Sequence, residues 1–205
     1  MAWDVNVFHW INQWPDSLSP IFIFFSEGNK WLWVRLTLLA IALLIALRLK
    51  DGPRIVILLF ISVAASNETT DVLKAVFQMK RPCVELTDVV LRVKQLTSFG
   101  TASAHSANMA AVAGLFWMFF RAQKGLEEPE KSPTNNRKLV SITWPIAWTA
   151  IAFFTGLSRI YVGVHYPSQV LLGWTVGILA SVFTVWISNA ILRSVQHAKE
   201  SRKVH

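Results

Sequence analysis

The chain has 205 residues, 53% hydrophobic and 16% charged, with ten Trp, thirteen Phe, a mean hydropathy of +0.42 and a net charge of +8. Soluble domains carry about 25% charged residues, so this apolar, aromatic-rich chain is neither disordered nor collagen-like, and a single cysteine, Cys83, rules out a disulfide scaffold. The positive charge first suggests nucleic acid, but basic residues flanking membrane spans account for it better, and no nucleic-acid partner is expected.

The stretch 5–25 is apolar (Phe8, Trp10, Trp14, Ile21, Phe22) but is broken by Pro15-Asp16. It reads as an interfacial helix followed by a short dipping segment, with a sixth span as the alternative. No Lys or Arg precedes Lys30, which argues against a signal peptide. Residues 31–47 are apolar apart from Arg35 and Thr37, about the length that crosses a hydrocarbon core. A second span starts at Arg54 and turns amphipathic through Asn67, Thr70, Asp71 and Lys74. A third covers 106–120, a fourth 139–157 and a fifth 167–192. The fourth contains Pro145, which membrane helices tolerate where neighbours satisfy the freed carbonyl. The loop 122–138 (Glu127, Glu128, Glu130, Lys131) is expected to be a mobile cytoplasmic connector. The expected fold is all-α, a polytopic membrane bundle of five to six transmembrane helices. One domain spans 31–192, between an N-terminal segment at 1–30 and a basic cytoplasmic tail at 193–205.

Alternation over five spans places Arg48, Lys50, Arg54, the loop 121–138 and the tail on one side, with 12 of the 20 basic residues. The N-terminus, the loop 80–101 and the turn 158–165 fall on the other side, with 8. The positive-inside rule assigns the first side to the cytoplasm. Trp31, Trp33, Trp144 and Trp186 are expected at the membrane interfaces, and His9, His197 and His205 at the surface.

Three polar features fall on the non-cytoplasmic side, and ionisable groups at membrane depth are costly and usually functional. Lys74 and Arg81-Pro82 are two helical turns apart, on one face extended inward by Asn67 and Asp71. Alone, these cations also fit side chains snorkelling to water. The run 98–105, ending Ala102-Ser103-Ala104-His105, precedes an apolar helix. It suits phosphate binding by free N–H groups and a serine hydroxyl, or simply an N-cap with small packing residues. Ser158-Arg159 and His165 open the last connection. Arg159 offers a planar fork for phosphate oxygens, or an ordinary loop contact. Together they place three cations, two histidines and a helix start at one level, with few acids beyond Asp71, Glu85 and Asp88. A phosphate is the natural ligand and phosphoryl transfer the natural chemistry, one histidine as nucleophile and one as acid. No carboxylate cluster is placed to hold magnesium, so neither metal nor cofactor is expected.

These segments resemble the type-2 phosphatidic acid phosphatase family of membrane lipid phosphatases, whose superfamily includes the vanadium haloperoxidases. Lys74, Arg81 and Pro82 fit its first motif fully. Ser103 and His105 keep the serine and histidine of its second, Pro-Ser-Gly-His, with Ala102 and Ala104 replacing Pro and Gly. Ser158, Arg159 and His165 match its third, where Gln169 stands in place of an aspartate. The resemblance implies that His165 attacks phosphorus, that His105 protonates the leaving oxygen and then activates water, and that Lys74, Arg81, Ser103, Ala104 and Arg159 hold the phosphate. Gln169 can accept the aspartate's hydrogen bond but brings no charge, so a working but weaker nucleophile is expected.

The implied activity is a metal-independent lipid phosphatase in the cell (inner) membrane, its site facing the periplasm or exterior. Undecaprenyl diphosphate is slightly favoured as substrate over phosphatidylglycerophosphate, phosphatidic acid and the 1-phosphate of lipid A. A lipid phosphotransferase and a catalytically weakened lipid-phosphate-binding protein are the alternatives. The expected partners are the lipid substrate and the bilayer; the oligomeric state is open.

Overall fold

A computed structural model describes residues 2–49, 51–95, 97–124 and 135–202, leaving out the side chains of 120–124 and 135–142. Lys50, the connector 125–134, Lys203 and His205 lie outside the described residues. The α-helices in chain order are α1 (Ala2–Asn12), α2 (Ser19–Glu27), α3 (Leu32–Arg48), α4 (Gly52–Phe77), α5 (Pro82–Glu85), α6 (Ala104–Lys124), α7 (Asn135–Tyr161) and α8 (Pro167–Ser201). Pro20, Pro53, Pro82 and Pro167 stand in the first turns of α2, α4, α5 and α8, where the missing N–H costs nothing and the fixed φ suits a helix.

Five helices have 17 to 35 residues, about 25 to 52 Å at 1.5 Å per residue. By length and composition, Gly52–Glu85 and α8 are each apolar enough to cross a membrane. Asp16–Lys30 and α3 meet that test only as a pair bent by 69°. The bend falls where the backbone at Trp31 is extended (φ −79°, ψ 132°). Large apolar side chains such as Leu39, Phe60, Leu179, Phe183 and Trp186 face outward, an arrangement whose apolar exterior suits lipid rather than water.

α6 is the central helix and packs on α4, α7 and α8. Its Ala107, Ala110 and Ala111 are buried, and α8 meets it through glycines. A Cβ at Gly177 would lie 2.0 Å from the Ala107 carbonyl oxygen, and one at Gly173 2.5 Å from that of Ser103. Without a hydrophobic force between helices in lipid, this close backbone approach supplies the van der Waals contact. One apolar cluster (Ile45, Ile55, Leu58, Leu115, Phe116) fills the end where α4 begins. There Arg54 donates to Ser188 Oγ and Asn189 Oδ1 of α8 (3.0 and 2.7 Å). The other cluster (Phe8, Phe22, Tyr161, Val164, Tyr166) lies where α7 ends and α8 begins, and there α1 and α2 pack on α7.

Some boundaries differ from the sequence expectation. The third span begins at Ala104, and the fifth runs on as helix to Ser201, so the described part of the tail continues α8. His9, expected at the surface, is half-buried: its Nδ1 is covered, 3.7 Å from Asp88 Oδ2, because α1 packs against the chain around Val90. Trp31, Trp33 and Trp186 are exposed, but Trp144 is half-buried against Phe116.

Candidate active site

α4 ends because Gln78 turns left-handed (φ 46°) and its N–H closes on the Lys74 carbonyl. That turn carries the chain back across the bundle and delivers Arg81. Its guanidinium is buried and donates to Ser98 O (2.7 Å), Ser98 Oγ (3.1 Å), Phe99 O (3.2 Å) and Val164 O (3.0 Å). Its Nη1 also lies 2.8 Å from His165 Nε2. Lys74 sits one turn before the end of α4, paired with Asp71 at 2.7 Å. On the same face, Asn67 and Ser66 bind Asn108 of α6 (3.1 and 2.7 Å).

His165 occupies the turn between α7 and α8. Its Nδ1 is 3.1 Å from Gln169 Oε1. The amide's orientation follows from its other contacts: Gln169 Nε2 donates to Lys80 O (2.9 Å), and Oε1 accepts from the Tyr166 N–H (3.2 Å). An acceptor facing Nδ1 puts the proton there, so Nε2 carries the lone pair and accepts from Arg81. Burial first, then the charges of Arg81 and Arg159, hold the His165 imidazole well below its ordinary range, with the Gln169 bond as the opposing effect. The ring is therefore neutral at pH 7, as a nucleophile requires.

Gln169 ties all three segments together, since its backbone carbonyl also accepts the Ser103 N–H (3.0 Å). Gly100 fits beneath it; a Cβ there would meet Gln169 Oε1 at 2.8 Å and Arg81 Cγ at 2.9 Å. Ser103 is fully buried, and its Oγ caps the start of α6, accepting from Ser106 Oγ (2.9 Å) and, weakly, from Ser106 N (3.4 Å). Ala104 opens α6, whose first N–H groups have no intrahelical acceptor. His105 follows, and its buried Nε2 has no hydrogen-bond partner among the described residues. Arg159, in the last turn of α7, is 1% exposed, and its Nε is likewise unpartnered. An unsatisfied buried donor or acceptor costs about 1–3 kcal/mol. A ligand with acceptor oxygens would relieve both.

The sequence reading missed Ser26 and Glu27. Arg159 Nη1 donates to Ser26 Oγ and O and lies 3.4 Å from Glu27 Oε1, and Glu27 in turn pairs with Lys30. The available signal was a serine and an acid closing an apolar stretch in a chain with 12 acids. Among the described residues no group of three His, Cys, Asp or Glu side chains is arranged to hold a metal ion.

A family model described as the PAP2 superfamily matches residues 55–193, a stretch that contains every site residue above except those of the N-terminal segment. Among curated proteins, the chain is 46% identical over 39 residues to the bacitracin transport permease protein BcrC of Bacillus licheniformis. It is 36% identical over 91 residues to the lipid A 1-phosphatase of Porphyromonas gingivalis. The aligned stretches span 19% and 17% of those two proteins, and 19% and 44% of this chain. Among solved structures, it resembles Aquifex aeolicus LpxE (TM-score 0.66, 24% identity, 90% of this chain and 96% of that one). It also resembles a transmembrane PAP2-type phosphatidylglycerolphosphate phosphatase from Bacillus subtilis (TM-score 0.63, 21% identity, 93% and 86%). At these identities the likeness is one of fold.

Proposed function

The chain belongs to the PAP2 superfamily, and on that footing we propose that it is a metal-independent membrane lipid phosphatase working through a phosphohistidine. The observation that carries this reading is the His165 geometry: Nδ1 fixed by Gln169 and the lone pair of Nε2 turned toward Arg81. Arg81 exchanges that contact for a phosphate oxygen as substrate enters, which frees Nε2 to attack. The Nε2–P bond forms as the P–O bond to the lipid breaks, and His105 gives a proton to the departing oxygen. Lys74, Arg81, Arg159, Ser103 and the free N–H groups from Ala104 onward stabilise the equatorial oxygens as charge develops. Water, deprotonated by His105, then attacks phosphorus from the side opposite Nε2 and releases inorganic phosphate and the free imidazole.

The positive-inside balance supports a multi-pass protein of the cell membrane with this site at the periplasmic or outer face. Undecaprenyl diphosphate is the favoured substrate, ahead of phosphatidylglycerophosphate, phosphatidic acid and lipid A 1-phosphate. The names of the similar proteins make phosphatidylglycerophosphate and lipid A 1-phosphate natural members of a test panel. Phosphate release by the detergent-purified protein from that panel, with chelator present, tests the reading. Release by wild type that is lost, by at least about 10³-fold, in His165→Ala and His105→Ala is the expected result. Variants as active as wild type would refute it. If the lipid phosphate is consumed only when a second lipid or sugar hydroxyl is supplied, and the phosphoryl group ends on that hydroxyl, the enzyme is a phosphotransferase.

A further inference from the structure

The N-terminal segment does more than pack against the bundle. Glu27, the last residue of α2, and Lys30, at the end of the turn Gly28–Lys30, place a carboxylate and an ammonium next to Arg159. Glu27 Oε1 approaches Arg159 Nη1 at 3.4 Å, and Glu27 Oε2 takes the Lys30 ammonium. One carboxylate thus joins a buried phosphate-binding guanidinium to a lysine whose side chain is 54% exposed. An ordinary surface pair three residues apart has no reason to engage a buried arginine as well.

Arg159 is one of the residues assigned to the phosphate, and Lys30 stands one carboxylate away from it, so a second phosphate on the same ligand would come within reach of the ammonium. For a phosphomonoester the leaving group is an alcohol, and a cation there has no charge to meet. For a diphosphate it is a lipid phosphate, which departs carrying negative charge and acceptor oxygens. We propose that Lys30, tethered by Glu27 to Arg159, forms an outer anion subsite for the leaving phosphate of a lipid diphosphate. In the step it serves, His165 Nε2 bonds to the terminal phosphorus while the bond from that phosphorus to the bridging oxygen breaks. The electron pair goes to the bridging oxygen, which takes the His105 proton, and Lys30 holds the remaining oxygens of the departing phosphate. This rests on the phosphatase reading above and adds substrate discrimination to it.

The test uses farnesyl diphosphate and farnesyl monophosphate in detergent with the full chain. The ratio of their kcat/KM values should fall about tenfold in Lys30→Gln. Lys30→Arg, which keeps the charge, should restore most of it. A ratio unchanged in Lys30→Gln, or a Lys30→Arg ratio as low as that of Lys30→Gln, overturns the proposal. Calorimetric binding of inorganic diphosphate and inorganic phosphate reads the subsite without turnover. Lys30→Gln should weaken diphosphate binding more than phosphate binding, and equal effects on the two contradict the subsite. If wild type cleaves neither farnesyl substrate yet shows that binding difference, the phosphatase reading fails and the subsite stands.

Discussion

One amide orients His165, the histidine proposed as nucleophile. Gln169 Oε1 faces His165 Nδ1 and caps the Tyr166 N–H, its Nε2 is spent on Lys80 O, and its backbone receives Ser103. Orientation of the imidazole therefore does not require a carboxylate; charge does. With no anion beside it among the described residues, burial and the two arginines hold the His165 imidazole low, so the ring stays neutral as pH falls through the ordinary value near 6.5. The acid limb of kcat/KM assigned to His165 should accordingly lie well below 6.5. By the same linkage, the unfolded chain binds this proton more readily, so the stability His165 contributes is fully present above 6.5 and declines as pH falls below it. Gln169→Asp gives up the Lys80 contact but makes the histidine bond charge-assisted. The net gain of about 1 kcal/mol should raise kcat roughly fivefold and move the acid limb upward. An unmoved limb with unchanged or lower kcat would show that Gln169 does not govern the imidazole. At this scale the motif residues were legible because rare polar side chains stand out in an apolar chain. Ser26 and Glu27 were not, since their role depends on a contact across more than 130 residues of sequence with Arg159.

The helices were legible wherever hydropathy alone decides them, as in α3, α4 and α8. Geometry set by backbone caps was not: the 69° bend at Trp31 and the left-handed turn at Gln78 leave no hydropathy signal. The contact between α6 and α8 belongs to the same class, because it depends on which glycine faces which carbonyl. Gly177 is the tightest point, and a Cβ there would strike the Ala107 backbone oxygen. Gly177→Ala must push the helices apart, at a cost of about 1–3 kcal/mol. Since Ser103 caps α6 and His105 lies in its first turn, while His165 and Gln169 flank the start of α8, turnover should fall together with Tm. Gly28→Ala is the control, where the added carbon would meet only the Phe24 ring at 3.4 Å. Equal Tm values for the two variants, measured by thermal unfolding in detergent, would contradict the packing account.

Across the whole molecule, polar chemistry gathers at one end of an apolar bundle. Arg92 locks that end by donating to Asn12 O (2.7 Å) and Tyr161 O (2.9 Å), pairing with Asp16 (2.8 Å) and lying over the Tyr161 ring at 4.1 Å. The buried Asn12 adds bonds to Val90 and Tyr161. These contacts hold the N-terminal helices, the 86–103 segment and the α7–α8 turn as one unit, so that Ser26 and Glu27 reach Arg159. At the other end, Arg54 binds α8 near Ser188. Composition and charge foretold the two ends, because basic flanks and apolar spans have the period of a bilayer. They did not foretell the clamp, which pairs residues about 80 apart in the chain through backbone carbonyls. The central claim is that three distant segments converge so that one histidine carries the phosphoryl group. Its most direct test is a single-turnover reaction with a radiolabelled lipid phosphate or diphosphate, quenched in alkali, where phosphohistidine survives, and mapped by peptide mass spectrometry. A phosphoryl group on His165, absent in His165→Ala, is the predicted result. Phosphate released in that turnover with no covalent adduct on His165 at any time point would contradict it.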